Sequence, residues 1–588
     1  MNNNLKTIFI VPSLLLFLVS AQAATEYSPR KLAVGNISDD IYDTYDFITT
    51  RPDLLTRVDK GEILVYPDEL VKDISSLVNM LNDNPERNFN NRLGFVYNMR
   101  AVAFGLHLKN EYSRLFSSSP YHDSSLSYSD IDLDGITAEA NEAMSTMNHS
   151  GSNYTGVENL DYGISFALPL NNMYLGVSYQ KIGDDTVSLS SENYERYHNN
   201  YGSSIISSKT NYSINNQSKD SLSQDIFILN FGINKTPVSS GSNIISPKEP
   251  FFLLQTKFII QSERLVQKNK KRTVYDQDPG IQISSTKMNK TIQEDSGSKP
   301  YMEWDKTTEQ YILQTEPRFT FKANPDLKYN IQAKFGIGFS GSYTNQEKTI
   351  DSDVEYATDP LAKFQDTRSS YDERISTYKG DVSYLMYGLR IEQVFKPKYF
   401  IVGIALDATI EHNTLSQSGR QTHVKKVKYE TSTNYTCQSP AFSGIPEQYI
   451  LTQYPDTKVS VETKEITATI SMPAGFEFDV LSWLKMRIGY TFTLTSSAVR
   501  TTTITTNGGQ TTTTTSFEDP STPTQITYSG TGYSETTDVD YSTSYAYTSI
   551  LSSGFEIILS PKTVMNLSGQ YNITGQNGIF LAETKFKF

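Results

Sequence analysis

Residues 327–340 read LKYNIQAKFGIGFS: Leu327, Tyr329, Ile331, Ala333, Phe335, Ile337 and Phe339 alternate with Lys328, Asn330, Gln332, Lys334, Gly336, Gly338 and Ser340. Side chains at i and i+2 share one face of a strand, so one face here is apolar and the other carries cations, amides and small residues. A period of two held this long is strand rather than helix. Its length carries a second inference. Strands of soluble proteins average about 5–6 residues, whereas about 9–11 tilted residues cross a bilayer.

The design recurs along the chain. Phe400, Val402, Ile404, Leu406, Ala408 and Ile410 oppose Gly403, Asp407, Thr409 and Glu411. Met486, Ile488, Tyr490, Phe492 and Leu494 oppose Arg487, Gly489, Thr491 and Thr493. Read in order, strands are expected near 61–67, 92–99, 101–111, 160–170, 173–182, 224–235, 251–262, 309–322, 327–343, 381–395, 398–412, 464–480, 484–496, 543–559, 563–573 and 577–588. That is about sixteen, or fourteen if GEILVYP at 61–67 lies outside the wall. The expected fold is all-β, a transmembrane antiparallel up-and-down barrel with both ends on the periplasmic side.

The connections agree. Tight turns are expected at Asn171-Asn172, 323–326, 396–398, 481–483 and 560–562, and long polar tracts at 110–159, 183–223, 266–308, 344–380, 413–463 and 496–542. Short periplasmic turns and long extracellular loops are the asymmetry of an outer-membrane barrel. The connection 236–250 is longer than this scheme asks.

Ahead of the wall, residues 1–23 carry Lys6, an apolar run and small residues at Ala21 and Ala23, which read as a signal peptide for export through the Sec pathway. Residues 24–60 are polar without a period, a periplasmic extension or a plug. The barrel then takes 61–588, with a short helix near 68–82 on which Leu70, Ile74, Leu77, Val78 and Leu81 share a face.

The net charge of −13 argues against nucleic acid as a partner. Cys437 is the single cysteine, so no disulfide framework is implied. The six histidines, His107, His122, His149, His198, His412 and His423, lack metal-ligand spacing. His412 beside Glu411 is the one pair worth inspecting, and neighbours in a strand point to opposite faces. No catalytic residue, metal or cofactor is expected, and the chain reads as a non-enzyme. Recurrent Asn-X-Ser/Thr triplets and the tract TTTITTNGGQTTTTT follow from a composition rich in Asn, Ser and Thr.

With its signal peptide, alternating strands, turn asymmetry and terminal AETKFKF, the chain resembles the outer-membrane β-barrel proteins of Gram-negative-type bacteria. Porins and long-chain fatty-acid transporters are similar in size, though an N-terminal NPA-type hatch motif of the latter is not found. The resemblance implies residence in the bacterial outer membrane, contact with its lipid and lipopolysaccharide, and insertion by the barrel assembly machinery. Phe580, Phe586 and Phe588 then form the C-terminal insertion signal, facing lipid, while Lys585 and Lys587 point to water.

Lumen-facing candidates follow from the alternation. Arg318, Lys322, Lys328 and Lys334 line a basic sector, and Asp407, Glu411, Glu477, Asp479 and Glu556 an acidic one, with Arg487 also inward. Such charges either pair across strands or set a transverse field that orients solutes. The runs KNKKR from Lys268 and VKKVK from Val424 are expected in outer loops, as solvated tips or contacts to lipopolysaccharide phosphates. The leading expected function is a porin-like channel for small polar solutes. The alternatives are a transporter of hydrophobic compounds, which needs an apolar lumen, and a surface adhesin working through its outer loops.

Overall fold

The computed structural model describes residues 30, 33–35, 37, 44–58, 60–66, 87–99, 101–117, 123–129, 143–170, 173–200, 206–233, 251–278, 288–294, 301–324, 326–359, 364–431, 436, 438, 444–507, 511–519, 522–530 and 534–588. They build one sheet of twenty strands. In chain order these are β1 (Gly61–Tyr66), β2 (Arg87–Asn98), β3 (Ala103–Ser117), β4 (Asp123–Ser129), β5 (Ala143–Leu170), β6 (Met173–Asn200), β7 (Ile206–Ile233), β8 (Phe252–Asp278), β9 (Met288–Glu294) and β10 (Tyr301–Lys322). There follow β11 (Leu327–Asp359), β12 (Phe364–Phe395), β13 (Phe400–Thr431), β14 (Glu447–Leu481), β15 (Leu484–Asn507), β16 (Thr511–Asp519), β17 (Thr522–Gly530), β18 (Ser534–Ser560), β19 (Thr563–Asn572) and β20 (Asn577–Lys587). The short β4, β9, β16 and β17 add to the outer hairpins, and the other sixteen close into an antiparallel barrel. The segment at 61–67 is therefore a wall strand: β1 pairs with β2 on one side and with β20 on the other.

Closure gives every wall strand a hydrogen-bonded neighbour on each side, the condition for crossing lipid without helices. Among the described residues no helix is long and apolar enough to span a membrane. The outward alternation is exposed as the sequence requires: Phe335, Ile337 and Phe339 on β11, Ile404 and Leu406 on β13, and Ile488 and Tyr490 on β15. An exposed apolar belt around a closed barrel is a lipid contact, and the chain is an outer-membrane-type β-barrel.

Much of the polar tracts is ladder. The pairing of β11 with β12 runs from Leu327↔Phe395 to Asp359↔Phe364, so residues 344–359 and 364–380 continue the wall upward. The wall is also lopsided, because β11–β14 hold 32–35 residues while β19, β20 and β1 hold 10, 11 and 6. β18 stands at the step, pairing with β15 from Ser534 to Ile557 and with β19 only from Ile550 downward.

At the seam, Phe588 donates its N–H to the Gly61 carbonyl (3.2 Å) and lays its ring over that residue to stack on Phe95 and Tyr97, with centroids 6.2 and 6.4 Å away. A Cβ on Gly61 would fall 2.5 Å from the ring, so the glycine makes the crossing possible. Phe586 and Phe588 are exposed. Lys585 is not directed to water: it turns into the wall toward Glu583 (3.7 Å), whereas Lys587 stays half exposed near Glu62 (3.9 Å). The side chain of Phe580, the signal peptide at 1–23, the helix near 68–82, the connection 236–250 and the turn at Asn171-Asn172 lie outside what the structure describes.

Candidate functional site

The inward face of a barrel strand can be filled with side chains or left as glycine for something else to occupy. At the periplasmic end the second solution is used. Gly403, Gly475 and Gly489 are cross-strand neighbours on β13, β14 and β15, a row without side chains. Val34, Gly35 and Ile37 lie in it, and a Cβ added at Gly475 or Gly489 would come within 2.2 Å of the Val34 carbonyl oxygen or the Gly35 nitrogen. Ala33 sits against Gly554 on β18, and Pro52 and Asp53 against Gly176 on β6. Part of residues 30–58 thus crosses the lumen floor from β13–β18 to β3–β8.

Two short elements carry the far half, helix α1 (Thr44–Thr49) and a 3-10 turn (Pro52–Arg57) that starts on a proline preset for helical φ. Tyr45, Ile48, Leu55 and Val58 form a buried cluster with the wall residues Leu64, Val96, Ala103 and Ala167. Burying such side chains contributes roughly 1.5–3 kcal/mol each.

Polar anchors fix both ends. Arg30 makes a bidentate pair with Glu477 (Nη2–Oε1 2.7 Å, Nε–Oε2 3.0 Å). Glu477 also accepts from Arg487 Nε (2.7 Å), and the fully buried Arg487 donates on to Asn566 (3.0 Å) and Glu556. Lys485 pairs with Glu556 (3.0 Å), and Asn566 donates to Glu583 (3.4 Å). At the other end Arg51 clasps Asp53 (2.9 and 2.8 Å), Asn230 donates to Asp53 (2.8 Å), and Gln255 donates to the Thr50 carbonyl (2.6 Å). Burial would raise the Asp53 carboxyl, yet the Arg51 charge and the hydrogen bonds from Arg51 and Asn230 hold it below its ordinary value. His107, buried beneath Tyr45, meets Asp161 at 3.1 Å.

The expected separation into a basic and an acidic sector does not hold. Lys334 pairs with Asp407 (2.7 Å), which also meets Arg390 (3.4 Å). Glu477 and Glu556 are bound to arginines, as above. Arg318 and Lys328 are inward and buried, near the Thr320–Asn330–Glu392 hydrogen-bond chain in cross-strand register. Glu411 is half-buried on β13, while Lys322 and Asp479 are exposed at the periplasmic rim beside Lys328 and Lys485 in register. The geometric reason is cross-strand adjacency: residues far apart in sequence share a row, and opposite charges there neutralise each other. Glu411 and His412 do not meet, since His412 turns to Tyr387 Oη (3.3 Å). The basic runs lie on β8 and β13 rather than at loop tips, with Lys268 on Glu303 (2.7 Å) and Lys426 over Tyr371.

Sequence reading left residues 24–60 open between a periplasmic extension and a plug, and it missed the Arg30 and Arg51 anchors and an apolar inward cluster of Ile226, Ile228, Ile259, Ile312, Tyr384 and Met386. The glycine row was the available signal, but it becomes a row only once strand register is known.

No family model matches the chain, and no curated protein matches it. Among solved structures it is similar to the siderophore receptor PirA from Pseudomonas aeruginosa, at 10% identity over 90% of this chain and 80% of that one, with TM-score 0.22. It is also similar to a mutant of the ferric enterobactin receptor PfeA from the same organism (8%, 90% and 80%, 0.21) and to the alcaligin outer-membrane receptor FauA from Bordetella pertussis (8%, 90% and 76%, 0.20).

Proposed function

We propose that the protein is a non-enzymatic outer-membrane transport barrel for small polar solutes whose periplasmic end is closed at rest by the described residues between Arg30 and Val58. The carrying observation is the glycine row: Gly403, Gly475 and Gly489 leave a trough that Val34, Gly35 and Ile37 fill. Passage requires that segment to shift, which makes this a gated conduit rather than a freely open diffusion pore. Polar solutes are favoured over hydrophobic ones because the apolar clusters of the floor and of the inward wall are both buried, presenting no open apolar surface. Outer-membrane residence by way of Sec export belongs to the same reading.

Planar-bilayer recording tests it. The intact folded protein should conduct little, and a variant lacking residues 24–58 should give steady conductance. Equal, steady conductance from both would overturn the gate. A silent, folded deletion variant would overturn transport and favour the surface-anchor reading.

A further inference from the structure

The outer face of the wall changes in charge from one sector to another. Above the apolar belt on β6–β10, each outward cation whose side chain is described has an acidic partner: Lys181 with Asp225 (3.5 Å), Lys219 with Asp185 (3.7 Å), Arg264 with Asp305 (2.7 Å) and Lys268 with Glu303 (2.7 Å). Two of these pairs, Lys181↔Asp225 and Lys268↔Glu303, stand in direct cross-strand register. On β13–β15 the register does the opposite. Arg420 faces Lys458 across β13 and β14, and Lys464 faces Arg500 across β14 and β15.

All four side chains are exposed, and alternation with the buried Val459 and Thr463 places their rows outward. Like charges set directly opposite each other destabilise a ladder. Lys379 adds a fifth exposed cation to the same band of β12–β15, against the carboxylates of Asp381 and Glu462, and Glu462 takes Lys464 (3.0 Å). Arg500 lies on the Tyr541 ring (5.6 Å), which holds its guanidinium against the wall. The band keeps a surplus of positive charge.

Height and spacing name the occupant. The outward apolar run of β14 ends at Ile466 and that of β15 at Leu494, and the exposed Tyr547 and Tyr541, opposite Leu494 and Arg500 in register, form an aromatic girdle at the level of the Lys464–Arg500 pair. Lys458 lies six residues further along β14, about 15 Å higher on a tilted strand. A phospholipid headgroup layer is only about 5–8 Å deep, so it reaches the lower pair alone. We propose that this face binds an outer-leaflet glycolipid carrying phosphate at two heights of its headgroup, one phosphate between Lys464 and Arg500 and the other between Arg420 and Lys458. A phosphate between two cations replaces repulsion with attraction, and it accepts paired hydrogen bonds from each arginine. Lipid is the neighbour because the face looks sideways over the lipid belt, away from the lumen. Nothing in this placement depends on the gate at the floor, so the two can fail separately.

Native mass spectrometry of the full-length protein folded in detergent provides the test, with a rough-type lipopolysaccharide, phosphorylated on its lipid anchor and inner sugars, as the probe. The probe should stay bound, while the same glycolipid stripped of phosphate, phosphatidylglycerol and inorganic phosphate should each bind more weakly by about tenfold or more, the scale of one lost charge-assisted contact. Arg420→Gln, Lys458→Gln, Lys464→Gln and Arg500→Gln combined should weaken the probe by about tenfold or more, whereas Lys181→Gln with Lys268→Gln, in the matched sector, should leave it unchanged. Lys458→Glu gives a second reading that needs no lipid. It sets an acid opposite Arg420, so it should weaken the probe and yet raise the temperature at which the lipid-free barrel unfolds. Equal binding by the dephosphorylated glycolipid, or full binding by the fourfold variant, would overturn the proposal. Phosphatidylglycerol bound as tightly as the probe would overturn the two-height headgroup, and inorganic phosphate bound as tightly would overturn a lipid occupant.

Discussion

Two arginines on one strand show how differently this wall is used at its two ends. Arg487, near the periplasmic end of β15, is fully buried and holds Glu477, Glu556 and Asn566. Arg500, further up the same strand, is exposed and has Tyr541 beneath it. The first works where water is excluded by a docked segment and opposite charges must meet; the second works where solvent screens it. The same backbone ladder therefore supports a packed core at the floor and a solvated surface above.

The sharpest way to break that contrast is to remove each arginine. Arg487→Leu takes one cation from two buried carboxylates, leaving Glu477 to Arg30 and Glu556 to Lys485, and should cost about 1.5–3 kcal/mol in urea unfolding from lipid vesicles. Arg500→Ala should cost only a small fraction of that. Comparable losses would mean that the floor is as wet as the upper wall.

The next contrast is between faces rather than ends. Ile404→Arg places a cation in the lipid belt and should cost about 2–4 kcal/mol, while Thr409→Arg, inward and beside the room left by Gly388, should be mild. Equal costs would mean that the register of β13 is wrong.

How much of this could be read from the sequence follows from what alternation can report. A period of two is local, so β11 and β15 showed their faces, lengths and order directly, and even the six-residue β1 was placed in the wall. The pairings are non-local. Lys334 finds Asp407 across two strand boundaries, and Arg30 finds Glu477 at a separation of 447 residues. Charges sorted by strand looked like two sectors because nothing local says which rows they share. Residues 24–60 lacked a period because their buried residues answer to glycines on seven other strands, not to a face of their own.

The docked segment itself supplies a gentler test. Gly489→Val puts side-chain carbons where the Gly35 backbone lies, and overpacking of this kind costs about 1–3 kcal/mol. The strand can keep its ladder, so the expected result is a folded, heat-modifiable barrel in which limited proteolysis cuts residues 24–60 faster. Unchanged protection would mean that the segment is held by its ends alone.

The smallest expected effect is a pH dependence at the far anchor. Asp53 has a lowered pKa in the folded protein, so its pairing with Arg51 contributes stability that is fully present above the ordinary carboxylate value and is lost as pH falls through the lowered one. Between pH 7 and 5 the segment should stay protected, because Asp53 remains charged throughout. Below about pH 4 protons bind the released form more readily than the docked one, and docking should weaken. Proteolysis of residues 44–58 by an acid-active protease across this range, compared with Asp53→Asn, separates the anchor from general acid loosening. The variant should be more exposed at neutral pH and lose the acid step. An acid step that Asp53→Asn retains in full would instead move the control of docking away from the Arg51 clasp.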